Sequence, residues 1–152
     1  MTKAARTVLV VEDSPEDFEA VARAIGSSGV DAEVRRCESG EAALDYLRRS
    51  GEFADAPRPT IVLLDLNLPG MNGTEVVEQC KSDESLRSIP VVILTSSLDG
   101  RDVRNCYESG ANSYIQKPMA HGELVAIVER IGRYWFDTVV LPEEQRASWP
   151  KA

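Results

Sequence analysis

Five short runs rich in β-branched residues alternate with five longer segments whose apolar residues recur three and four apart. The short runs are residues 7–11 (TVLVV), 32–36, 60–64 (TIVLL), 91–94 (VVIL) and 113–115 (SYI). The first long segment, residues 14–27, carries Phe18, Val21, Ala22 and Ile25 on one face. It starts with helix-initiating chemistry: Ser14 as N-cap, Pro15 at the first helical position and acids in the first turn. The other helical segments cover residues 39–49, 74–81, 100–109 and 120 to about 133. Strand then helix, five times over, predicts an α/β fold with a doubly wound five-stranded parallel sheet and right-handed crossovers. The near-continuous apolar character of the strands fits a sheet covered on both faces.

In such a fold, ligands bind at the carboxyl ends of the strands. Glu12-Asp13 follows the first strand, and Asp65 the third. Thr95 and Ser96 follow the fourth, and Lys117-Pro118 the fifth. A buried carboxylate must be paired, solvated or metal-bound. Carboxylates gathered in one place also raise one another's pKa. A hard divalent cation such as Mg²⁺ removes that penalty, with oxygen ligands and retained waters. Asn67, two residues after Asp65, is placed to offer its backbone carbonyl. Lys117 supplies fixed positive charge, and Thr95 a hydroxyl donor. A metal, a cation and a hydroxyl around one carboxylate suit phosphoryl transfer onto that carboxylate, Asp65.

The stretches VLVVEDSPED, IVLLDLNLPGMNG, VVILTSS and SYIQKP occur in this order, each at a strand end. Together they resemble a response-regulator receiver domain, the chemotaxis-regulator-like form of the flavodoxin-like (β/α)5 fold. The resemblance implies Asp65 as phosphoacceptor and one Mg²⁺ held by Glu12, Asp13, Asp65 and the Asn67 carbonyl. Asp13 would bind the metal directly and Glu12 through water. Thr95 and Lys117 would contact the phosphoryl group, with the Lys117–Pro118 peptide cis and Ser96 leaving access. Tyr114 would be the switch aromatic; its strand position alone leaves both an inward and an outward placement open. Ser97 and Asn67 fall where the family tunes the lifetime of the phosphate. The acidic pair departs mildly from the two aspartates of many receivers, and the loop at residues 50–59 is longer than in minimal ones. This loop is expected away from the switch face.

The end of the chain contains YWFDTVVLP. It resembles the extended last helix of small single-domain regulators that partner bacterial and cyanobacterial phytochrome histidine kinases. The division expected is a receiver over residues 6–133 and a C-terminal extension over 134–152, with no output domain. Tyr134, Trp135, Phe136 and Leu141 are either core that folds back or, as aromatics favour, the contact surface of a homodimer.

Acidic residues number 25 against 17 Lys plus Arg, for a net charge of −8. That balance argues against nucleic acid and anionic membranes as partners. No apolar run approaches the roughly 20 residues that span a bilayer. The N-terminal stretch reads as a first strand and not as a signal peptide. Cys37, Cys80 and Cys106 are widely spaced and odd in number, which suits reduced core thiols and a cytoplasmic location. His121, the single histidine, is expected exposed.

The function expected is a phosphorylation-driven interaction switch or phosphorelay intermediate, served by a sensor histidine kinase of phytochrome type. It is not a conventional enzyme. Two alternatives compete. An aspartate-nucleophile phosphatase needs a second acid where Asn67 stands. A phosphorylation-independent adaptor would usually lack one of Asp65, Thr95 and Lys117, and all are present.

Overall fold

The computed structural model describes residues 6–142. Strands β1 (Arg6–Val11), β2 (Ala32–Cys37), β3 (Ile61–Leu64), β4 (Val91–Thr95) and β5 (Ser113–Gln116) form one sheet in the order β2-β1-β3-β4-β5. Every pairing is parallel. Helices α1 (Pro15–Ser27), α2 (Gly40–Leu47), α3 (Gly73–Ser82), α4 (Gly100–Ser109) and α5 (His121–Gly132) make the crossovers. The expected alternation is therefore present, with boundaries moved by a residue or two.

Strand periodicity divides the core between two faces. Leu9, Val11, Val62, Leu64 and Ile93 point to one face, where Ala43, Leu44, Val76, Val77 and Cys106 of α2, α3 and α4 cover them. Val8, Val10, Ile61, Leu63, Val92 and Leu94 point to the other, against Val21 and Ile25 of α1 and Leu124, Val128 and Ile131 of α5. Central strands β1, β3 and β4 are buried on both faces, whereas β2 alternates because it lies at an edge. Each fully buried Leu, Ile or Val here contributes roughly 1.5–3 kcal/mol.

Side-chain caps start four helices. Ser14, Ser39, Asn72 and Asp99 accept from the backbone N–H of Asp17, Ala42, Glu75 and Arg101 respectively. Gly110 ends α4 at φ 107°, a left-handed conformation that suits glycine. Gly73 serves the site directly: a Cβ there would lie 2.7 Å from the Asp65 carbonyl oxygen. Only a residue without a side chain lets α3 begin so close to the end of β3.

The loop at residues 50–59 holds a 3₁₀ turn, Gly51–Phe53, and leads into the start of β3. It thus lies at the amino edge of the sheet, away from the strand ends, as expected. The three cysteines are buried and free. Burial pushes the Cys37 thiol up to about 12 and the Cys80 thiol up to about 11, so both behave as inert core groups. No helix among the described residues is long and apolar enough to cross a membrane.

After α5 the backbone continues as a π-helical turn, Arg133–Thr138. Arg6 of β1 fixes it, donating to the Phe136 carbonyl at 2.7 Å and lying over the Phe136 ring. Trp135 and Phe136 pack partly against the α1/α5 core. Leu141 is only 2% exposed, which corrects its expectation as a contact residue: the tail turns back and buries it. Tyr134 and Val140 remain exposed. Residues 143–152 of the expected extension lie outside the described residues.

Candidate functional site

The parallel register brings the ends of β1, β3, β4 and β5 to one edge. Val11 pairs with Leu64, Leu64 with Ile93 and Thr95 with Gln116. The next residue of β1 is Glu12 and of β3 is Asp65, and the backbone N–H of Asp65 donates to Val11 O at 3.1 Å. The Lys117 N–H donates to Thr95 O at 2.6 Å, which holds the end of β5 beside that of β4.

Four predicted side chains meet here. Asp65 is 7% exposed and Glu12 4%. Asp65 Oδ1 accepts from the Thr95 hydroxyl at 2.9 Å and from the Asn67 backbone N–H at 3.0 Å. Lys117 Nζ donates to Asp65 Oδ2 at 3.0 Å and to Glu12 Oε1 at 2.6 Å. The other Glu12 oxygen, Oε2, accepts from the Ser14 N–H at 3.2 Å. The carboxylate that ends β3 is thus paired on both oxygens, which is how so apolar a strand accommodates it.

These contacts divide the two buried acids. Burial pushes Glu12 up to about 7; Lys117 opposes this, while Asp65 adds to it. Burial also acts to raise Asp65, but the Asn67 N–H, the bond with Glu12 and Lys117 outweigh it and hold Asp65 below its usual value. Burial acts to lower Lys117, and the two carboxylates reverse this and raise it. The surroundings thus favour the ionised form at Asp65 and oppose it at Glu12.

The structure differs from the expected site at three points. Asp13 is exposed, and its backbone carbonyl accepts from Arg36. The three carboxylates whose oxygens lie within 4.8 Å of one another are Glu12, Asp65 and Asp17. Successive side chains of extended chain point opposite ways, so burying Glu12 turns Asp13 outward. Asp17 was missed because an acid in the first turn of a helix is accounted for by the helix dipole alone. Its Oδ2 accepts from Lys117 Nζ at 3.2 Å. Finally, no peptide bond among the described residues is cis, so Lys117–Pro118 is trans. The trans form is the favoured one for X–Pro bonds, and with it Lys117 makes every contact above.

Tyr114, expected as the switch aromatic, is half-buried. Tyr114 OH donates to the Ser97 carbonyl at 2.8 Å, and its ring packs partly against the α2/α3/α4 core. Ser97 Oγ in turn donates to Asp102 of α4 at 2.7 Å. Ser96 is exposed, which leaves the approach to Asp65 open on that side. His121 is the exposed first residue of α5.

The donor set suits a hard divalent cation. All the candidate ligands are oxygens, and one ammonium faces three carboxylates, so negative charge is left to neutralise.

A buried, ionised aspartate flanked by a hydroxyl, a lysine and a second acid at the edge of a β2-β1-β3-β4-β5 sheet defines a family. Residues 8–129 match the response regulator receiver domain, and the chain belongs to that family. It is similar to the response regulator Rcp1 of Synechocystis sp., at 39% identity over 90% of this chain and 93% of the relative. The phosphorylated cyanobacterial phytochrome response regulator RcpA superposes with a TM-score of 0.87. It is 40% identical, over 91% of this chain and 99% of that one. The Mn²⁺-bound form of Rcp1 gives a TM-score of 0.84 at 39% identity, over 90% of this chain and 99% of that one.

Proposed function

We propose that the chain is a phosphorylation-driven switch in which Asp65 accepts a phosphoryl group from a sensor histidine kinase. The observation that carries this is Asp65 itself: buried, held ionised, and contacted by Thr95 and Lys117. An Asp65 oxygen attacks the phosphorus of a phosphohistidine. The P–N bond breaks, its electron pair stays on the imidazole nitrogen, and the histidine is released. The Thr95 hydroxyl then turns from the carboxylate to a new phosphoryl oxygen, and Lys117 takes another as a partner. Glu12, Asp65 and the Asn67 carbonyl, with Asp13 at the rim, would hold one Mg²⁺. When bound, the ion neutralises the carboxylates and the incoming phosphoryl oxygens together.

Movement of Thr95 toward a phosphoryl group draws on the adjoining Ser96-Ser97 backbone, and Tyr114 hangs on the Ser97 carbonyl. The added charge is thereby read at α4 and β5, a two-state change of surface. Output passes through protein contacts and not through multiple-turnover chemistry. Asn67 in place of a second acid also speaks against a phosphatase.

The likeness to RcpA, a phytochrome response regulator, supports a phytochrome-type kinase as the partner, and the buried free cysteines suit a cytoplasmic location. The exposed Tyr134 and the half-buried Trp135 beside it are the part of the tail proposed to meet a second copy of the chain.

Phosphotransfer from an autophosphorylated phytochrome-type histidine kinase tests the proposal. Radiolabel is expected to pass to the wild type and not to Asp65→Asn. Equal labelling of both would remove Asp65 from the role.

A further inference from the structure

An ammonium has three N–H donors. In Lys117 all three are engaged by carboxylates: Glu12 at 2.6 Å, Asp65 at 3.0 Å and Asp17 at 3.2 Å. The first two acids are buried, while the Asp17 side chain is 51% exposed. A phosphoryl oxygen on Asp65 can therefore reach Lys117 only by displacing one of the three. The longest contact, to the acid that water can resolvate, is the one released most cheaply.

We infer that Asp17 is a positioning residue that rivals the phosphoryl group for Lys117. It holds the third N–H in the unphosphorylated protein and gives it up when Asp65 is modified. This rests on the role proposed above for Asp65, and it adds α1 to the elements that sense the state of the site. The placement of Asp17 is built in. Its backbone N–H is fixed by the Ser14 cap at 3.2 Å, and the Ser14 N–H is fixed by Glu12 at 3.2 Å. Site and helix start are thereby tied through one residue.

A neighbour supplies the control. Glu16 carries the same charge on the same turn, but its carboxylate accepts from the Ser14 hydroxyl and not from Lys117. Loss of charge alone would act alike at both positions, whereas loss of a rival would act only at Asp17.

The test is the affinity for beryllofluoride, a phosphoryl mimic, at saturating Mg²⁺ in wild type, Asp17→Asn and Glu16→Gln, with Mg²⁺ affinity measured separately by calorimetry. Half-exposed ion pairs of this kind shift an equilibrium by about two- to fivefold. Asp17→Asn is expected to bind beryllofluoride tighter by that factor, with Glu16→Gln unchanged and Mg²⁺ affinity of Asp17→Asn within about twofold of wild type. Three results would overturn the inference: unchanged or weaker beryllofluoride binding in Asp17→Asn, equal tightening in both variants, or a collapse of Mg²⁺ affinity that makes Asp17 a ligand. Failure of the wild type to bind beryllofluoride at all would instead bring down the role of Asp65, and the inference with it.

Discussion

Two lysines at opposite edges of the sheet have the same number of partners and opposite chemistry. Lys81, at the end of α3, donates to the carbonyls of Arg87 and Ile89 and to Asn112 Oδ1, at 3.0, 2.9 and 3.1 Å. Lys117, at the end of β5, donates to three carboxylates. Burial lowers the pKa of Lys81, because neutral oxygens do not compensate a charge as anions do. The carboxylates raise that of Lys117. The first arrangement is a static latch joining α3 to the segments that flank the start of β4. The second is a balance of charges, and adding or removing one charge redistributes the bonds. The difference separates the edge that holds the fold from the edge that can respond.

Removing Lys117 is the harshest way to break the comparison. Lys117→Met leaves Glu12 and Asp65 buried without their cation, and the loss is expected to be about 3 kcal/mol in urea unfolding at pH 7.5 without metal. A loss below about 1 kcal/mol would mean that the two carboxylates are effectively solvated. Lys81→Met leaves two carbonyls and an amide oxygen short of a donor and is expected to cost about 1–2 kcal/mol. Beryllofluoride and Mg²⁺ binding should survive it unchanged, and loss of either would erase the distinction between the edges.

Acidity sharpens the comparison further. The folded-state pKa of Glu12 is raised from 4.5 to about 7, so between those values the folded protein keeps a proton that the unfolded chain has released. Stability attributable to Glu12 therefore falls as pH rises through this window. Asp65, held low, contributes the opposite slope, which appears only as pH falls through its folded value. Metal-free Glu12→Gln is expected to show a flatter stability profile between pH 5 and 7 than the wild type, by on the order of 1 kcal/mol. Identical profiles would mean that Glu12 does not titrate in this window. The smallest effect is expected at Tyr114→Phe, which removes the hydroxyl bond to the Ser97 carbonyl and should cost about 0.5–1 kcal/mol in thermal unfolding.

What the sequence made legible follows the same division. Strands β1, β3 and β4 are readable because a strand buried on both faces must be apolar throughout. Glu12, Asp65 and Thr95 are readable because each breaks such a run at its carboxyl end, and Lys117 because it follows the fifth strand, β5, in the same way. Asp17 sits on an amphipathic helix whose start already favours acids, so its reach to Lys117 shows only in three dimensions. The latch of Lys81 is hidden for the same reason. Which member of Glu12-Asp13 turns inward depends on the register of β1 beyond its last paired residue. Leu141 and its neighbours read equally well as core or contact surface, because apolarity alone does not say which surface covers them; the backbone after α5 decides in favour of core for Leu141.

The most direct measurement is intact mass after incubation with acetyl phosphate, with and without Mg²⁺, on the wild type and on Asp65→Asn. The predicted result is a single added phosphoryl group on the wild type, dependent on Mg²⁺ and absent from Asp65→Asn. An adduct of the same mass on Asp65→Asn, or one formed equally without Mg²⁺, would contradict the assignment of this edge of the sheet as the phosphoryl-accepting site.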